Sequence, residues 1–199
     1  MKIRKKFNVE SAHIVRNCTS ERCSHSIHGH SAIIELFFEA DTLDNAQMVV
    51  DFGLFKKDIK QIIDAMDHCY LVCNKERDEF KKFIEDECDR YISLPFNPSA
   101  EMLSLFVYHY VTKIIEHTTF NNGEHLPRLT GVRYHETATG WAQCNAVDYE
   151  IIWKPEYNSQ IEFSEGIRKE WSNELRAIVD GDEDVMIVNP VIEQQIKIG

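Results

Sequence analysis

The sequence predicts an α+β fold in which a four-stranded antiparallel sheet carries two helices packed on one face. Residues 2–13 and 28–38 alternate between apolar and polar side chains, as half-buried strands do. Two later segments repeat apolar residues at helical spacing, and two further strand patterns follow them. The order is therefore strand, strand, helix, helix, strand, strand, which is typical of a sheet whose helices share one face.

The first two predicted strands carry histidines at the ends that we expect to meet. In residues 2–13 the apolar face ends in His13, and the second strand begins with His28-Gly29-His30. Because side chains two positions apart in a strand point to the same face, the two later imidazoles point the same way. Zinc binds neutral imidazole readily, and three protein ligands leave its fourth position free for water or substrate. The three histidines therefore predict a catalytic Zn2+ site.

Two other interpretations of this region stay open. In the first, His13 is an ordinary core histidine and the other two histidines lie at a strand end without a ligand. In the second, two thiols join the later histidines in a closed structural zinc site, since such sites combine thiolates with imidazoles. The spacing of the cysteines argues mildly against this second set, which consists of Cys18, Cys23, His28 and His30.

The two predicted helices lie between the strand pairs. Asp51 is a candidate N-cap for an apolar stripe over residues 52–66. Ser99 is the candidate N-cap of a second helix, whose apolar stripe covers residues 102–114. Between the helices, a charged segment at about residues 75–95 ends in prolines, so we expect an inserted, solvent-exposed helix.

The last two predicted strands are residues 128–136 and 141–153, joined by a tight connection. They complete a single predicted domain over residues 1–153. Residues 154–199 are interpreted as a C-terminal extension of unknown role.

The extension begins with linker-like residues, and its patterns predict a helix over 164–179 and a strand over 185–188. It could cover an exposed sheet edge or mediate a contact between subunits, because unpaired sheet edges need cover. The sequence assigns no chemistry to it.

Composition and charge exclude some classes of function. A formal net charge of -11 argues against nucleic-acid binding through a broad basic face, since such binding depends on neutralising phosphates. No apolar run approaches the roughly 20 residues that cross a bilayer, so we expect no membrane insertion and a cytoplasmic protein. The six cysteines are scattered without a compact framework, which suits a reducing compartment and free thiols.

Candidate catalytic side chains occur where the predicted elements end, as such residues often do. Cys23 precedes the histidine pair and has cationic neighbours, which favour the thiolate form of a cysteine. Asp67 precedes His68 after the first helix, and a carboxylate can orient an imidazole and stabilise its protonated form. Glu136 ends the third strand, where its carboxylate could bind adjacent N–H donors of a ring. Cys18 stays open as an alternative working thiol.

Seven short motifs follow one another along about residues 3–152. They are Phe7 to His13, Cys23, His28-Gly29-His30, Val50-Asp51-Phe52, Met66 to Leu71, Ser99-Ala100-Glu101 and His135-Glu136-Thr137. In this order and approximate spacing they make the chain resemble the 6-pyruvoyl-tetrahydropterin synthase family, and seven motifs are far more specific than one. The resemblance implies a tunnelling fold, in which subunits join their sheets into a barrel and barrels stack. It also implies a homohexamer with sites at subunit boundaries.

Within the family, the chain looks more like the bacterial 6-carboxy-tetrahydropterin synthases of queuosine biosynthesis. The resemblance implies that 7,8-dihydroneopterin triphosphate is converted to 6-carboxy-tetrahydropterin, acetaldehyde and triphosphate. The resemblance implies that His13, His28 and His30 bind zinc. It implies that Cys23 transfers protons, with Asp67 and His68 as its relay. It also implies that Glu136, Ser99 and Glu101 line the pterin pocket.

Other functions remain as alternatives. A 6-pyruvoyl-tetrahydropterin synthase uses the same substrate and metal but keeps all three side-chain carbons. A noncatalytic zinc-binding or pterin-binding module is a different class. A pterin aldolase of folate synthesis is disfavoured, because such relatives replace the loop cysteine with an acidic residue and Cys23 is present here. The basic residues that could contact the triphosphate are Arg4, Lys6, Arg16 and Arg22.

Overall fold

A computed structural model describes residues 1–189 of the chain. The strands are β1 (Lys2–His13), β2 (His28–Glu39), β3 (Cys69–Cys73), β4 (Tyr91–Leu94), β5 (Thr118–Phe120), β6 (Arg128–His135), β7 (Trp141–Cys144), β8 (Glu162–Phe163) and β9 (Ile187–Asn189). The α-helices are α1 (Glu21–His25), α2 (Asp58–Asp64), α3 (Asp78–Glu87), α4 (Ala100–Glu116), α5 (Ala146–Ile152), α6 (Glu165–Arg168) and α7 (Asn173–Asp180). Short 3-10 helices cover Phe52–Lys56 and Pro155–Tyr157.

The main sheet has seven strands in the order β7-β6-β2-β1-β3-β4-β8. Strands β7, β6, β2 and β1 are successively antiparallel, so the predicted four-stranded antiparallel sheet is confirmed. Three further strands extend it beyond β1: β3 and β4 run parallel to β1, and β8 returns antiparallel. Strands β5 and β9 form a separate parallel pair. The predicted α+β class is thus confirmed, with a larger sheet.

The extra strand β3 is buried on both faces, which explains why alternation did not predict it. Each of its five residues is buried, and a strand covered on both sides is apolar throughout. Leu71 belongs to the main core, whereas Tyr70 and Val72 pack with Ile84 of α3 in a second cluster. The inserted segment at 75–95 therefore supplies α3 and β4, and α3 covers the sheet face opposite the main core.

Helix α4 begins as predicted, because the Ser99 hydroxyl accepts a hydrogen bond of 3.4 Å from the Met102 N–H. The helix expected over 52–66 is divided into a 3-10 helix and α2. Asp51 does cap the first piece by accepting from the Gly53 N–H. Gly53 and the aromatic residues near it, Phe52 and Phe55, have low helix propensity. This is consistent with a tighter 3-10 helix that ends before α2 begins.

The strand expected over 141–153 is wrong beyond Cys144, where the chain turns into α5. Asn145 accepts from the backbone of the first turn, and the Asp148 side chain accepts from the Asn145 N–H, which is a complete capping box. The Asn-x-x-Asp spacing was the sequence signal for this helix start.

The C-terminal extension packs against the rest of the molecule. Strand β8 pairs with β4 at the sheet edge, and Trp171 and Leu175 belong to the main core. The helix expected over 164–179 is divided into α6 and α7 by Ser172, whose hydroxyl donates to Asp58 at 2.6 Å.

The strand expected over 185–188 lies two residues later, as β9. Residues 190–199 of the predicted extension lie outside the described residues. Among residues 1–189, no helix combines the length and apolar character needed to cross a bilayer.

Candidate metal centre and adjoining cavity

The hairpin of β1 and β2 brings three histidines together. His13 lies directly opposite His28 in the antiparallel register, and His30 is two residues further along the same face. The ring centroids of His13 and His28 are 4.6 Å apart, and each is 5.2 Å from that of His30. One nitrogen from each ring lies within 4.8 Å of the others, so the group could hold a metal ion.

Gly29 allows the strands to approach closely between the two later histidines. It pairs with Ala12, and a Cβ atom at Gly29 would lie 3.0 Å from the Ser11 carbonyl oxygen. That separation is shorter than an ordinary van der Waals contact. The Ser11 oxygen belongs to the backbone, so it cannot easily move away. A glycine between the two imidazoles is therefore part of the geometry that sets their positions.

The most buried of the three imidazoles, that of His13, is in the neutral state that a metal ligand requires. His13 is 3% exposed, and burial, followed by the charges of His28 and His30, lowers its pKa to about 4, so it is neutral at neutral pH. Within residues 1–189 the buried Nε2 atoms of His13 and His30 have no hydrogen-bond partner, whereas His28 Nδ1 is 3.0 Å from the Ser26 carbonyl. That contact orients the ring, as outer-shell partners of metal ligands do. The donor set fits a metal ion such as zinc.

A cavity of about 350 Å³ opens beside His28 and collects most of the remaining predicted site residues. Its lining includes both candidate thiols, Cys18 and Cys23, and the predicted pterin-pocket residues Ser99, Glu101 and Glu136. The cysteines line this cavity without joining the converging ligand group, which within residues 1–189 consists of the three histidines.

The Glu136 carboxylate faces both the cavity and the histidines. Its Oε1 lies 3.8 Å from His13 Nε2 and 3.9 Å from His30 Nε2. A carboxylate at this position could bind a donor group of a ligand that enters from the cavity, or could itself approach a bound cation.

Asp67 and His68 lie outside the cavity that Cys23 and Glu136 line. Asp67 Oδ2 is 3.0 Å from His68 Nδ1, so the predicted carboxylate–imidazole pair is formed. The pair is fixed against β1 at Glu10, and His68 lines a separate cavity of about 610 Å³ with Gly29, Cys88 and other residues. Its side chain is 77% exposed. Within one chain the structure does not bring this pair to the cavity of Cys23.

Trp141 is a cavity residue that the sequence reasoning missed. Its side chain is 53% exposed at the start of β7 and lines the cavity of Cys23 and Glu136. The Arg133 guanidinium lies 4.3 Å from its ring centroid. The signal available in the sequence was a tryptophan directly after the turn glycine Gly140. Its exposure, which often marks a binding site when the side chain is large and aromatic, is seen only in the structure.

Comparison with known proteins identifies the family of the chain. The family model described as 6-pyruvoyl tetrahydropterin synthase matches residues 2–147. The chain belongs to this family of enzymes.

Individual members of the family are similar to the chain over different shares of its length. Two curated proteins of Helicobacter pylori strains, both named 6-carboxy-5,6,7,8-tetrahydropterin synthase, are 39% identical over 176 residues, covering 86% of this chain and 86% of each relative. A similarly named protein of Aquifex aeolicus is 30% identical over 96 residues, covering 46% of this chain and 58% of the relative.

Solved structures support the fold. An uncharacterised protein of Wolinella succinogenes superimposes with a TM-score of 0.60 at 16% identity, covering 73% of this chain and 98% of that one. The 6-pyruvoyl tetrahydropterin synthase of Caenorhabditis elegans gives a TM-score of 0.51 at 16% identity, covering 73% and 95%. The expected tunnelling-fold subunit is thereby confirmed.

Proposed function

We propose that this protein is a zinc-dependent 6-carboxy-5,6,7,8-tetrahydropterin synthase of queuosine biosynthesis, acting in the cytoplasm. It converts 7,8-dihydroneopterin triphosphate and water to 6-carboxy-tetrahydropterin, acetaldehyde and triphosphate. The observation that carries the proposal is the group of three converging imidazoles beside a cavity lined by Cys23 and Glu136; two of the imidazoles have a buried nitrogen without a partner among the described residues. The names of the Helicobacter relatives support the choice of product.

In this proposal His13, His28 and His30 hold the metal. When bound, zinc supplies a Lewis acid for the oxygens of the substrate side chain. Cys23 removes and returns protons at the side-chain carbons, and its place beside His28 in the cavity suits that role.

The pterin ring is held in the same cavity, next to the histidines. The Glu136 carboxylate accepts hydrogen bonds from adjacent N–H groups of the ring, and Ser99 and Glu101 line the same cavity. Since the Ser99 oxygen already accepts from Met102, its hydroxyl hydrogen stays available for the ligand.

We further propose that Asp67 and His68 act in a site completed by a second copy of the chain. Burial acts to raise the pKa of Asp67, but hydrogen bonds from the Glu10 N–H and from His68 outweigh it, so the pKa is lowered. The ionised carboxylate orients an exposed imidazole that can relay a proton.

An unpaired strand edge is consistent with this assembly. Strand β3 pairs with β1 only at Ser11–His13, so within the described residues no strand lies along the outer side of β1 before that point. Sheets of neighbouring subunits could pair there and form the homohexamer that the resemblance implies.

Product analysis tests the proposal. The purified protein, with its zinc content measured, is incubated with dihydroneopterin triphosphate, and the products are identified by mass. We expect acetaldehyde and 6-carboxy-tetrahydropterin in equal amounts. A 6-pyruvoyl product without aldehyde would assign the other activity of the family, and zinc-loaded protein that binds pterin without turnover would indicate a binding module.

Separate Cys18→Ala and Cys23→Ala variants identify the working thiol. We expect only the Cys23 change to abolish turnover, with zinc content unaltered in both. Loss of turnover in the Cys18 variant alone would transfer the role to Cys18.

A further inference from the structure

We infer that Arg16 and Glu76 form a positioning pair that fixes helix α1 and thereby the Cys23 thiol beside the histidine cluster. The pair joins the loop before β2 to the turn that follows β3, which belongs to the inserted segment. The importance of a fixed thiol for turnover rests on the proposed function, whereas the positioning itself does not.

The Arg16 guanidinium makes contacts in two directions. Its Nε and Nη2 donate to the two oxygens of the Glu76 carboxylate, the second at 3.2 Å. Its Nη1 donates to the Ser24 carbonyl oxygen at 2.7 Å. Ser24 follows Cys23 in α1, so the guanidinium holds the backbone next to the thiol. The Glu76 carboxylate fixes the orientation of the guanidinium through its other two nitrogens. A planar fork of donors suits this double role, and a lysine could not reproduce it.

Further hydrogen bonds fix the backbone of the loop at Val15 and Arg16. The Asn97 side chain accepts from the Arg16 N–H at 3.2 Å and donates to the Arg16 carbonyl at 2.7 Å. The Val15 N–H donates to the Cys23 carbonyl at 3.0 Å. The backbone at Cys23 and Ser24 is therefore tied to the segment that follows the histidine strand β1.

Burial makes the pair difficult to replace. The Glu76 side chain is 8% exposed, and that of Arg16 is 31% exposed. A buried carboxylate without its cation is strongly unfavourable, so Arg16 is kept in one orientation. α1 has only five residues, too few for a stable helix without such outside contacts.

Cysteine alkylation measures the positioning without using activity. The zinc-loaded full-length protein is treated with limiting iodoacetamide, and labelling at each cysteine is quantified by peptide mass spectrometry. The variants are Glu76→Gln, which keeps the shape but removes the charge, and Arg16→Lys, which keeps the charge but removes the fork. The matched control is Asp180→Asn, which removes the carboxylate from a distant ion pair with Arg168.

We expect the labelling of Cys23 relative to Cys18 to change several-fold in both variants. In the control this ratio should equal that of the unaltered protein. The buried thiols of Cys69 and Cys144 should stay protected, because the change is confined to the loop and its contacts with Glu76. In the activity assay, kcat should fall roughly ten- to hundredfold with little change in KM, as expected for a misplaced reacting group.

Unchanged Cys23 labelling in both variants would overturn the inference, as would labelling of the buried thiols in parallel with Cys23, since that indicates general loosening. If Glu76→Gln does not fold, Arg16→Lys decides alone, because it leaves a cation beside Glu76. Altered Cys23 labelling with undiminished turnover would support the positioning and contradict the proposed role of Cys23.

Discussion

The Asp67 carboxylate accepts a hydrogen bond of 2.7 Å from the backbone N–H of Glu10, and the next residue, His68, donates its own N–H to the Glu10 carbonyl at 2.6 Å. His68 has a left-handed backbone with φ of 49°, which is costly for a residue other than glycine. The two hydrogen bonds with Glu10 hold the His68 backbone in this conformation. The carboxylate–imidazole pair is thus attached to the strand that ends in His13, three residues and about 10 Å further on.

Asp67→Asn should separate the chemical role of this pair from its structural role. The amide oxygen can still accept from Glu10, but it no longer stabilises a protonated His68. We expect kcat to fall about 10²- to 10⁴-fold, the usual contribution of acid–base groups, with zinc content unchanged. Steady-state kinetics with metal analysis measures both, and Asp64→Asn on the nearby surface serves as control. Full activity of the Asp67 variant would remove the pair from the mechanism.

Gly29→Ala should weaken metal binding. The added Cβ would lie 3.0 Å from the Ser11 carbonyl oxygen, so the strands must separate and the imidazoles on either side must shift. We expect the zinc dissociation constant to rise roughly ten- to hundredfold, as when outer-shell support is lost. Competition with a chromophoric chelator measures it. Ser31→Ala, two residues along β2, should bind zinc as the unaltered protein does, and equal affinity for both variants would contradict the prediction.

Gly166→Ala should loosen the C-terminal extension. A Cβ atom at Gly166 would lie 2.0 Å from the Asp89 carbonyl oxygen, a backbone atom that cannot yield by rotating. We expect a loss of about 1–3 kcal/mol in the free energy of unfolding, as for other overpacked sites. Urea unfolding of this variant is compared with that of Glu165→Ala, an exposed change in the same helix. A stability equal to that of the control would show that the extension is not tightly docked.

The histidine at position 109 should make stability depend on pH. His109 is 6% exposed and stacks on Trp153; burial, with a smaller effect from Lys113, lowers its pKa from 6.5 to about 4. The unfolded chain therefore binds a proton that the folded chain resists, and stability is lost as pH falls from about 6.5 to 4. The loss is at most about 3 kcal/mol.

Urea titrations between pH 4 and 7 check this expectation. His109→Phe keeps an aromatic ring and should remove that part of the pH dependence, whereas His125→Gln, at an exposed position, should leave it intact. An identical slope in the His109 variant and the unaltered protein would assign the pH dependence to other groups.

The sequence predicted those features that depend on local spacing. The alternation in β1 and β2 placed His13, His28 and His30 on one face, and the register then brought them together. The Ser99 cap was predicted from the same kind of local pattern. Where prediction failed, a competing local signal was overlooked, as with the capping box at Asn145.

Other features depend on contacts that spacing does not encode. Strand β3 is apolar because α3 covers its second face, and a short apolar run by itself does not distinguish a strand from a buried helix segment. The pair of Arg16 and Glu76 joins residues 60 positions apart. Asp67 and His68 were predicted as a pair, but their distance from Cys23 follows from tertiary structure.

The coordination of the bound metal tests the account most directly. X-ray absorption at the zinc edge, on protein with measured metal content, distinguishes nitrogen ligands at about 2.0–2.1 Å from sulfur at about 2.3 Å. We predict one zinc per chain with three imidazole nitrogens and no sulfur ligand, and loss of the metal in His13→Ala. A sulfur shell from Cys18 or Cys23, or full retention of zinc by His13→Ala, would contradict the account.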